Sequence, residues 1–567
     1  MPDLKLDEFH DEREHPAKPG PARPAQLGQF GTAASAIGAS ARRAAAILTP
    51  ASLWRSHRIF TILAVASVVP RVLAALAFRP ALLTSDSFLY IQEATTGTLG
   101  VIRPSGYSNF LDLMHVFPHP LLAITTAQHL MGIAIAAIVY GLLRYWGLPA
   151  WGAALAAVPV LFDTREIALE SYILPDTLYC LVIMVAVALL LTKRTPRLWQ
   201  CVLAGLLLAY ATVLRGNGLP LAVVAAAYLL IRKVGWRAFT TSAVAFAIPV
   251  FWYALAFNAA YGQFNITRSD GIFLWSRTTS FANCAIIKPP RDLVPLCPNK
   301  STRAPAKAPA WSISTLVDGS TPANYLWAPS AWWRHDARPG FSAYNNKLGM
   351  QFALDAIKAQ PLGYLQVSAR DLMLVFVNSD RALDTNAMAF TALPRFLKLP
   401  SSDARELKAY AVTTSNTNAV EPYAYFLYLY QQPVYFPGLV FFGVLVAGLV
   451  GVIRKRRQWG GPAALPWVLA VLSIVLPVLL TQSFYRYDLT AIPLACVAAG
   501  LAFVRQRPRY SLATAGPALA AQAKGPQAPR AQAQGAQAQG AQGQRAATSP
   551  DPEQPAAVPR TGPDIAE

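Results

Sequence analysis

What most constrains this chain is a series of long apolar runs separated by short basic clusters. The stretch 59–78 is apolar apart from Arg71. At about 1.5 Å per residue it is long enough to cross the hydrocarbon core of a bilayer. Nine more runs share that character: 121–143, 151–162, 172–191, 198–213, 219–231, 239–257, 434–452, 465–481 and 489–504. Several fall short of about 20 residues, and 151–162 and 219–231 are the weakest. Of the 567 residues, 54% are hydrophobic and only 14% charged, where a soluble protein carries about a quarter charged. The pattern predicts an all-α polytopic membrane protein of about ten transmembrane helices, with a mixed extracytoplasmic loop domain.

The formal net charge of +20 does not point to nucleic acid. The basic residues sit at the ends of apolar runs rather than on one continuous patch, as residues that fix topology and meet anionic head groups do. Arg144, Lys193, Arg194, Arg197, Arg232, Lys233, Arg237, Arg454, Lys455, Arg456, Arg457, Arg505, Arg507 and Arg509 all fall on one side if the N terminus is cytoplasmic. The opposite short loops hold little basic charge, such as Arg165, Arg215 and Arg486. Ten spans then put both termini in the cytoplasm and 259–431 outside.

The expected organisation follows. Residues 1–58 form a disordered cytoplasmic segment, and 59–258 a transmembrane core of seven spans with a catalytic first external loop at 79–120. Residues 259–431 form the extracytoplasmic loop domain, 432–504 the last three spans, and 505–567 a low-complexity cytoplasmic tail with Ala-Gln-Ala-Gln-Gly repeats. Neither end can bury enough apolar surface to offset the entropy of ordering it. The N-terminal segment has no signal-peptide pattern, so the first span is expected to be an uncleaved anchor. In the loop domain, Trp327, Trp332 and Trp333 cluster, 344–359 reads as an amphipathic helix, and 362–376 mixes apolar residues with Arg370 and Asp371. That last run is either an interfacial helix or an extra span. Cys284 and Cys297 in an oxidising compartment are expected to form a disulfide, whereas Cys180, Cys201 and Cys496 lie in spans as small hydrophobes.

The first external loop carries the chemistry. It runs Leu83-Thr-Ser-Asp-Ser-Phe-Leu-Tyr-Ile-Gln-Glu-Ala-Thr-Thr-Gly and continues to Arg103-Pro-Ser-Gly-Tyr-Ser. Asp86 follows the first span directly, and Glu93, seven residues on, shares its helix face. Asp86 either caps a short interfacial helix or acts as an acid–base group.

A span, an acid with Tyr90 nearby, a Gly turn and a Pro-x-Gly-Tyr element ending at Tyr107 resemble the first external loop of the GT-C superfamily of membrane glycosyltransferases. The similarity is greatest to the branch of protein O-mannosyltransferases and the lipid A aminoarabinose transferase. Glu170-Ser-Tyr-Ile-Leu-Pro-Asp-Thr-Leu-Tyr, Thr212-Val-Leu-Arg-Gly-Asn-Gly-Leu and Phe484-Tyr-Arg-Tyr resemble further elements of that branch. The chain departs from it in carrying Ser85-Asp86-Ser87 where protein mannosyltransferases have Asp-Glu, and Arg103-Pro-Ser where many members have His-Pro-Pro or Arg-Pro-Pro. The resemblance implies a polyprenyl-phosphate sugar donor, lying in the bilayer, and inverting transfer to an envelope glycan, lipid or protein on the extracytoplasmic face of a bacterial plasma membrane. Asp86 is then the expected general base and Glu170 the second catalytic acid. Arg486, Arg215 and Arg103 are the expected donor-phosphate ligands, and Tyr90, Glu93, Tyr107 and Tyr487 the expected substrate contacts.

Asp163, Glu166, Glu170 and Asp176 cluster before the fourth span, and Asp176 lies at membrane depth, where charge suggests function. No metal is certain. A Mg or Mn ion between Asp86 and Glu170 is conceivable, but two carboxylates alone are weak evidence, and no Cys/His spacing matches a zinc site. His129 reads as an interior polar group or an acceptor contact. Two other classes compete. A transporter or flippase for a lipid-linked precursor predicts internal repeats and broken helices, and no convincing repeat is present. An anchoring protein predicts no acid at the membrane edge.

Overall fold

A computed structural model of the chain describes residues 50–192, 195–298, 322–327, 331–334, 338, 340–377, 390, 408–410, 417–458, 461–482 and 485–504. The expectations for most of 1–58 and for 505–567 fall outside these residues, as do Lys193, Arg194 and Phe484. Among the described residues the fold is almost entirely helical. In chain order the principal helices are α1 (Pro50–Ala66), α2 (Val68–Ala77), α3 (Ser85–Thr96), α4 (Gly106–Met114), α5 (Pro120–Tyr145), α6 (Ala150–Phe162), α7 (Thr164–Ser171), α8 (Asp176–Leu191), α9 (Leu198–Leu214) and α10 (Gly218–Ile231). They continue with α11 (Trp236–Tyr261), α12 (Asp270–Thr278), α13 (Ala343–Ala359), α14 (Pro361–Val377), α15 (Tyr423–Tyr430), α16 (Gly438–Arg454), α17 (Ala464–Leu480), α18 (Tyr485–Leu489) and α19 (Ala491–Ala502). Among the described residues one sheet forms, pairing Phe78–Arg79 antiparallel with Asn418–Ala419.

Among the described residues four stretches are long and apolar enough to cross a membrane: Ser56–Ala77, Pro120–Tyr145, Trp236–Tyr261 and Gly461–Leu480. Five shorter apolar helices join them: α6, α8, α9, α10 and α16. Their outward side chains include Val65 at 65%, Trp252 at 63% and Leu439 at 68% exposure. So many large apolar groups facing outward require lipid rather than water around the bundle. The chain is a polytopic membrane protein. Two of the expected runs start later than their apolar pattern. The run at 172 becomes helix only at Asp176, because Tyr172 pairs with Leu82 in a parallel bridge and Pro175 precedes the first turn. The run at 434 becomes helix at Gly438, after Pro437. In both cases a proline without an N–H sits where the helix opens.

Inside the bundle α9 packs on α8 and α11, and α5 on α6 and α8. The 12-residue α19 is surrounded by α5, α6, α16 and α17. Nearly all of its residues are buried, which accounts for a helix that is apolar on every side.

A second apolar cluster joins Ile272, Trp275, Leu296, Trp333 and Phe352. Here α12 lies against α13 at Gly271, where a Cβ would overlap the Asn346 carbonyl oxygen, so only glycine permits this approach. The disulfide Cys284–Cys297 is present, with its Cα atoms 6.1 Å apart, and the Trp275 indole donates to the Leu296 carbonyl at 2.8 Å beside it. Closing a loop of this size stabilises by about 3 kcal/mol in the chain-entropy account. Replacing both cysteines by serine is therefore expected to lower the melting temperature in detergent. An unchanged melting curve would show that the cluster holds without the bridge.

Candidate active site

The first loop is anchored before it reaches its acid. The Leu82 N–H donates to the Ser171 carbonyl at 3.1 Å, and the Ile173 N–H to the Leu82 carbonyl at 3.1 Å. Thr84 then caps α3: its N–H donates to Ser87 Oγ at 2.9 Å, and the Ser87 N–H to the Thr84 carbonyl at 3.0 Å. Capping thus falls to Thr84 and Ser87. Asp86 sits in the first turn, where the helix dipole favours a negative charge, and its carboxylate is left to point elsewhere.

It points at arginines. Arg486 Nη2 donates to Asp86 Oδ2 at 2.6 Å, and Arg103 Nη2 lies 3.5 Å from the same oxygen. Burial pushes the Asp86 carboxyl up, but Arg103 and Arg486 outweigh it and hold it well below the usual carboxylate range. Arg486 comes from α18, roughly 400 residues along the chain from Asp86. Beside it, the Tyr487 ring carries two guanidiniums, Arg486 at 5.2 Å and Arg215 at 4.6 Å from its centroid. Burial would raise the Tyr487 phenol, yet Arg486, Arg103 and Arg215 together lower it. Arg215, just past the end of α9, donates to Asp176 Oδ1 at 2.5 Å. A pocket opens beside this pair, lined among others by Tyr179, Asn217, Ser473 and Thr490. Three arginines and two aspartates thus leave one net positive charge at the ends of several apolar helices.

Arg103 is held from behind. Its guanidinium lies 5.0 Å from the Phe273 ring centroid, and the flanking Val101 and Ile102 carbonyls accept from the Arg268 N–H and the Ser269 hydroxyl. The turn before it requires Gly100, since a Cβ there would overlap the Arg103 carbonyl oxygen. Glu93 accepts from Ser108 at 2.7 Å, tying α3 to α4. Burial raises its carboxyl to about 7 against the opposing bonds from Ser108 and Ser105. Tyr90 and Tyr107 are buried edge to face with centroids 5.2 Å apart. The Tyr107 hydroxyl donates to Gln128 Oε1 at 2.6 Å, and Gln128 Nε2 donates to the Glu170 and Tyr172 carbonyls.

Glu170 is bonded elsewhere. Arg71 grips its carboxylate with Nε at 2.8 Å and Nη2 at 2.7 Å, and His129 Nδ1 lies 2.8 Å away. Among the described residues Glu170 and Asp86 share no hydrogen bond or ion pair. The structure therefore gathers Asp86, Arg103, Arg215, Arg486 and Tyr487, and sets Glu170 in a separate buried network. Nor do these residues suit a divalent ion: Asp86 faces guanidiniums, Glu170 is taken by Arg71, and no group of three or more His, Cys, Asp or Glu gathers for a metal among the described residues. Asp176 holds Arg215 in the site, and Arg71, which the sequence marked only as a charge in an apolar run, holds Glu170 in the separate network. Their signal was present in each case as a charge inside an apolar run.

Arg71 is 2% exposed and also donates to the Ser67, Leu161 and Val160 carbonyls. Arg71→Met leaves Glu170 buried without its cation and is expected to cost about 3–5 kcal/mol. The double variant Arg71→Met with Glu170→Leu should recover part of that, read as thermal aggregation in detergent; a single variant as stable as the parent would refute the role. Glu93 gives a pH signature. Its folded-state carboxyl lies above the ordinary value, so its contribution is full below about 4.5 and is lost as pH rises through about 7. Wild type should lose stability across that window more steeply than Glu93→Gln, and parallel curves would contradict this.

No family model matches the chain, and no curated protein does. Among solved structures, it is similar to the S. cerevisiae protein O-mannosyltransferase Pmt1-Pmt2 complex bound to the sugar donor, at 13% identity and TM-score 0.30, over 42% of this chain and 37% of that one. It is similar to ArnT from Cupriavidus metallidurans bound to undecaprenyl phosphate, at 15% identity and TM-score 0.33, over 78% and 76%. It is also similar to the archaeal oligosaccharyltransferase AglB from Archaeoglobus fulgidus, in complex with an inhibitory peptide and a dolichol-phosphate, at 12% identity and TM-score 0.40, over 79% and 50%. The chain thus spans about a third of the mannosyltransferase and half of AglB.

Proposed function

We propose that this protein is a membrane glycosyltransferase that moves a sugar from a polyprenyl-phosphate donor to an envelope acceptor on the extracytoplasmic face. The observation that carries this reading is the Asp86 carboxylate, set among Arg103, Arg486 and Arg215 at the ends of membrane helices. A lipid-linked sugar phosphate presents an isoprenoid tail to the bilayer and an anionic group at its edge. The site offers the matching arrangement, with apolar helices beside a net positive cluster.

In the proposed reaction an acceptor hydroxyl oxygen attacks the anomeric carbon and its proton passes to Asp86. The bond from that carbon to the phosphate oxygen breaks, and both electrons leave with the polyprenyl phosphate. Attack opposite the leaving group inverts the anomeric centre. Arg486, Arg215 and Arg103 meet the charge that grows on the phosphate. Tyr487 spaces two of these arginines. Tyr90, Tyr107 and Glu93 shape the wall of the first loop, where the sugar or acceptor would rest. For Glu170 the reading is positional: through its backbone and Gln128 it holds Tyr107.

The test is transfer of labelled sugar from a polyprenyl-phosphate donor to envelope acceptors by purified protein in lipid. Asp86→Asn should lower turnover by about 10²–10⁴-fold, the range of a general base, and Arg486→Gln should raise KM for the donor. Full activity in a folded Asp86→Asn protein refutes Asp86 as the base. Donor crossing the bilayer with its sugar still attached would favour a flippase instead.

A further inference from the structure

Asp86 is tied up within the site. A carboxylate that accepts from Arg486 at 2.6 Å, with Arg103 at 3.5 Å, is a poor proton acceptor. The same contact also occupies Arg486, a guanidinium expected to meet the phosphate. Arg215 is occupied as well, by Asp176. As it stands the site binds its own charges.

We propose that the donor phosphate and Asp86 compete for Arg486, so that donor binding itself frees the base. The inference rests on the transferase reading and adds a regulatory step to it. The phosphate takes the Arg486 guanidinium, the Arg486–Asp86 hydrogen bond breaks, and Asp86 becomes basic only when a sugar is present to be attacked. An empty enzyme is thereby kept from activating hydroxyls idly.

The two ion pairs differ in a way that selects which one opens. Asp176 is 0% exposed, and among the described residues its Oδ2 has no hydrogen-bond partner. Removing Arg215 would strand a fully buried charge. Asp86 has a side-chain exposure of 13% and keeps Arg103 nearby after Arg486 departs. Arg486 has a second resting place, since its Nη2 also lies 3.4 Å from the Tyr487 hydroxyl. The Arg486–Asp86 contact is therefore the exchangeable pair, and Arg215–Asp176 the fixed one. The charged and titratable groups facing Asp86 are Arg103 from the turn before α4, Arg486 from α18, Arg215 from the end of α9, and Tyr90 from its own helix α3, with Tyr487 behind Arg486 and Arg215.

Competition has a signature that simple proximity lacks. The probe is undecaprenyl phosphate without sugar, titrated into detergent-solubilised full-length protein. Asp86→Asn removes the competitor and is expected to bind it about tenfold more tightly than wild type, even though transfer is lost. In an Arg486→Gln background the same change should bring no gain. Equal or weaker binding by Asp86→Asn overturns the competition. No binding by wild type or by the variant overturns both the competition and the donor class beneath it. Asp86→Ser makes the same comparison if the Asn protein does not purify folded. Wild type gives a check without variants: kcat should show an acid limb that kcat/KM for the donor lacks, because Asp86 regains basicity only in the donor complex. Identical limbs would contradict the proposal.

Discussion

Arg71 enters the bundle from α2 and meets the Glu170 carboxylate from α7 with two parallel N–H donors. Its remaining donors reach three backbone carbonyls, Val160 and Leu161 on α6 and Ser67 at the start of α2. In a setting without water every one of these groups needs a partner, and here each finds one. The pair fixes α2, α5, α6 and α7 together, with His129 closing the carboxylate from α5. Gly132 leaves room for it, since a Cβ there would overlap Glu170 Oε1. The first loop emerges directly from this knot, and the Leu82–Ser171–Ile173 bonds carry its order outward to α3.

The arginine cluster depends on that order. Asp86 comes from the first turn of α3, Arg215 from the end of α9, and Arg486 from α18. Three distant segments converge only if the helices beneath them are in register. Tyr487 then acts as a spacer, keeping two guanidiniums on one aromatic ring and so limiting their mutual repulsion. The positive charge of the site is thus arranged by packing as much as by sequence proximity.

Much of this was legible beforehand. The apolar runs gave the helices, and the disulfide partners could be read from two cysteines 13 residues apart. Asp86 stood out because an acid followed a span directly. The pairing of Asp86 with Arg486 was not legible, because nothing in a sequence states which of several membrane-edge arginines folds back across 400 residues. Glu170 illustrates the same limit. Its place at the head of an apolar run marked it as unusual, but the cation that claims it, Arg71, lies 99 positions earlier inside another run. Charge at membrane depth announces a partner without naming it. Helix starts at Asp176 and Gly438 moved by four residues from the apolar pattern for a simpler reason: hydrophobicity does not register a proline that withholds its N–H.

The contrast in helix length has a mechanical consequence. The 26-residue α5 and α11 are about 39 Å long, whereas the 16 and 17 residues of α8 and α9 reach only about 24–26 Å. Asp176 opens one of these short helices, and Arg215 follows directly on the other. A bilayer of ordinary thickness must thin around them or leave their polar ends recessed below the head groups. Hydrophobic mismatch therefore sets the depth at which this ion pair meets water, and makes lipid thickness a physical variable of the site.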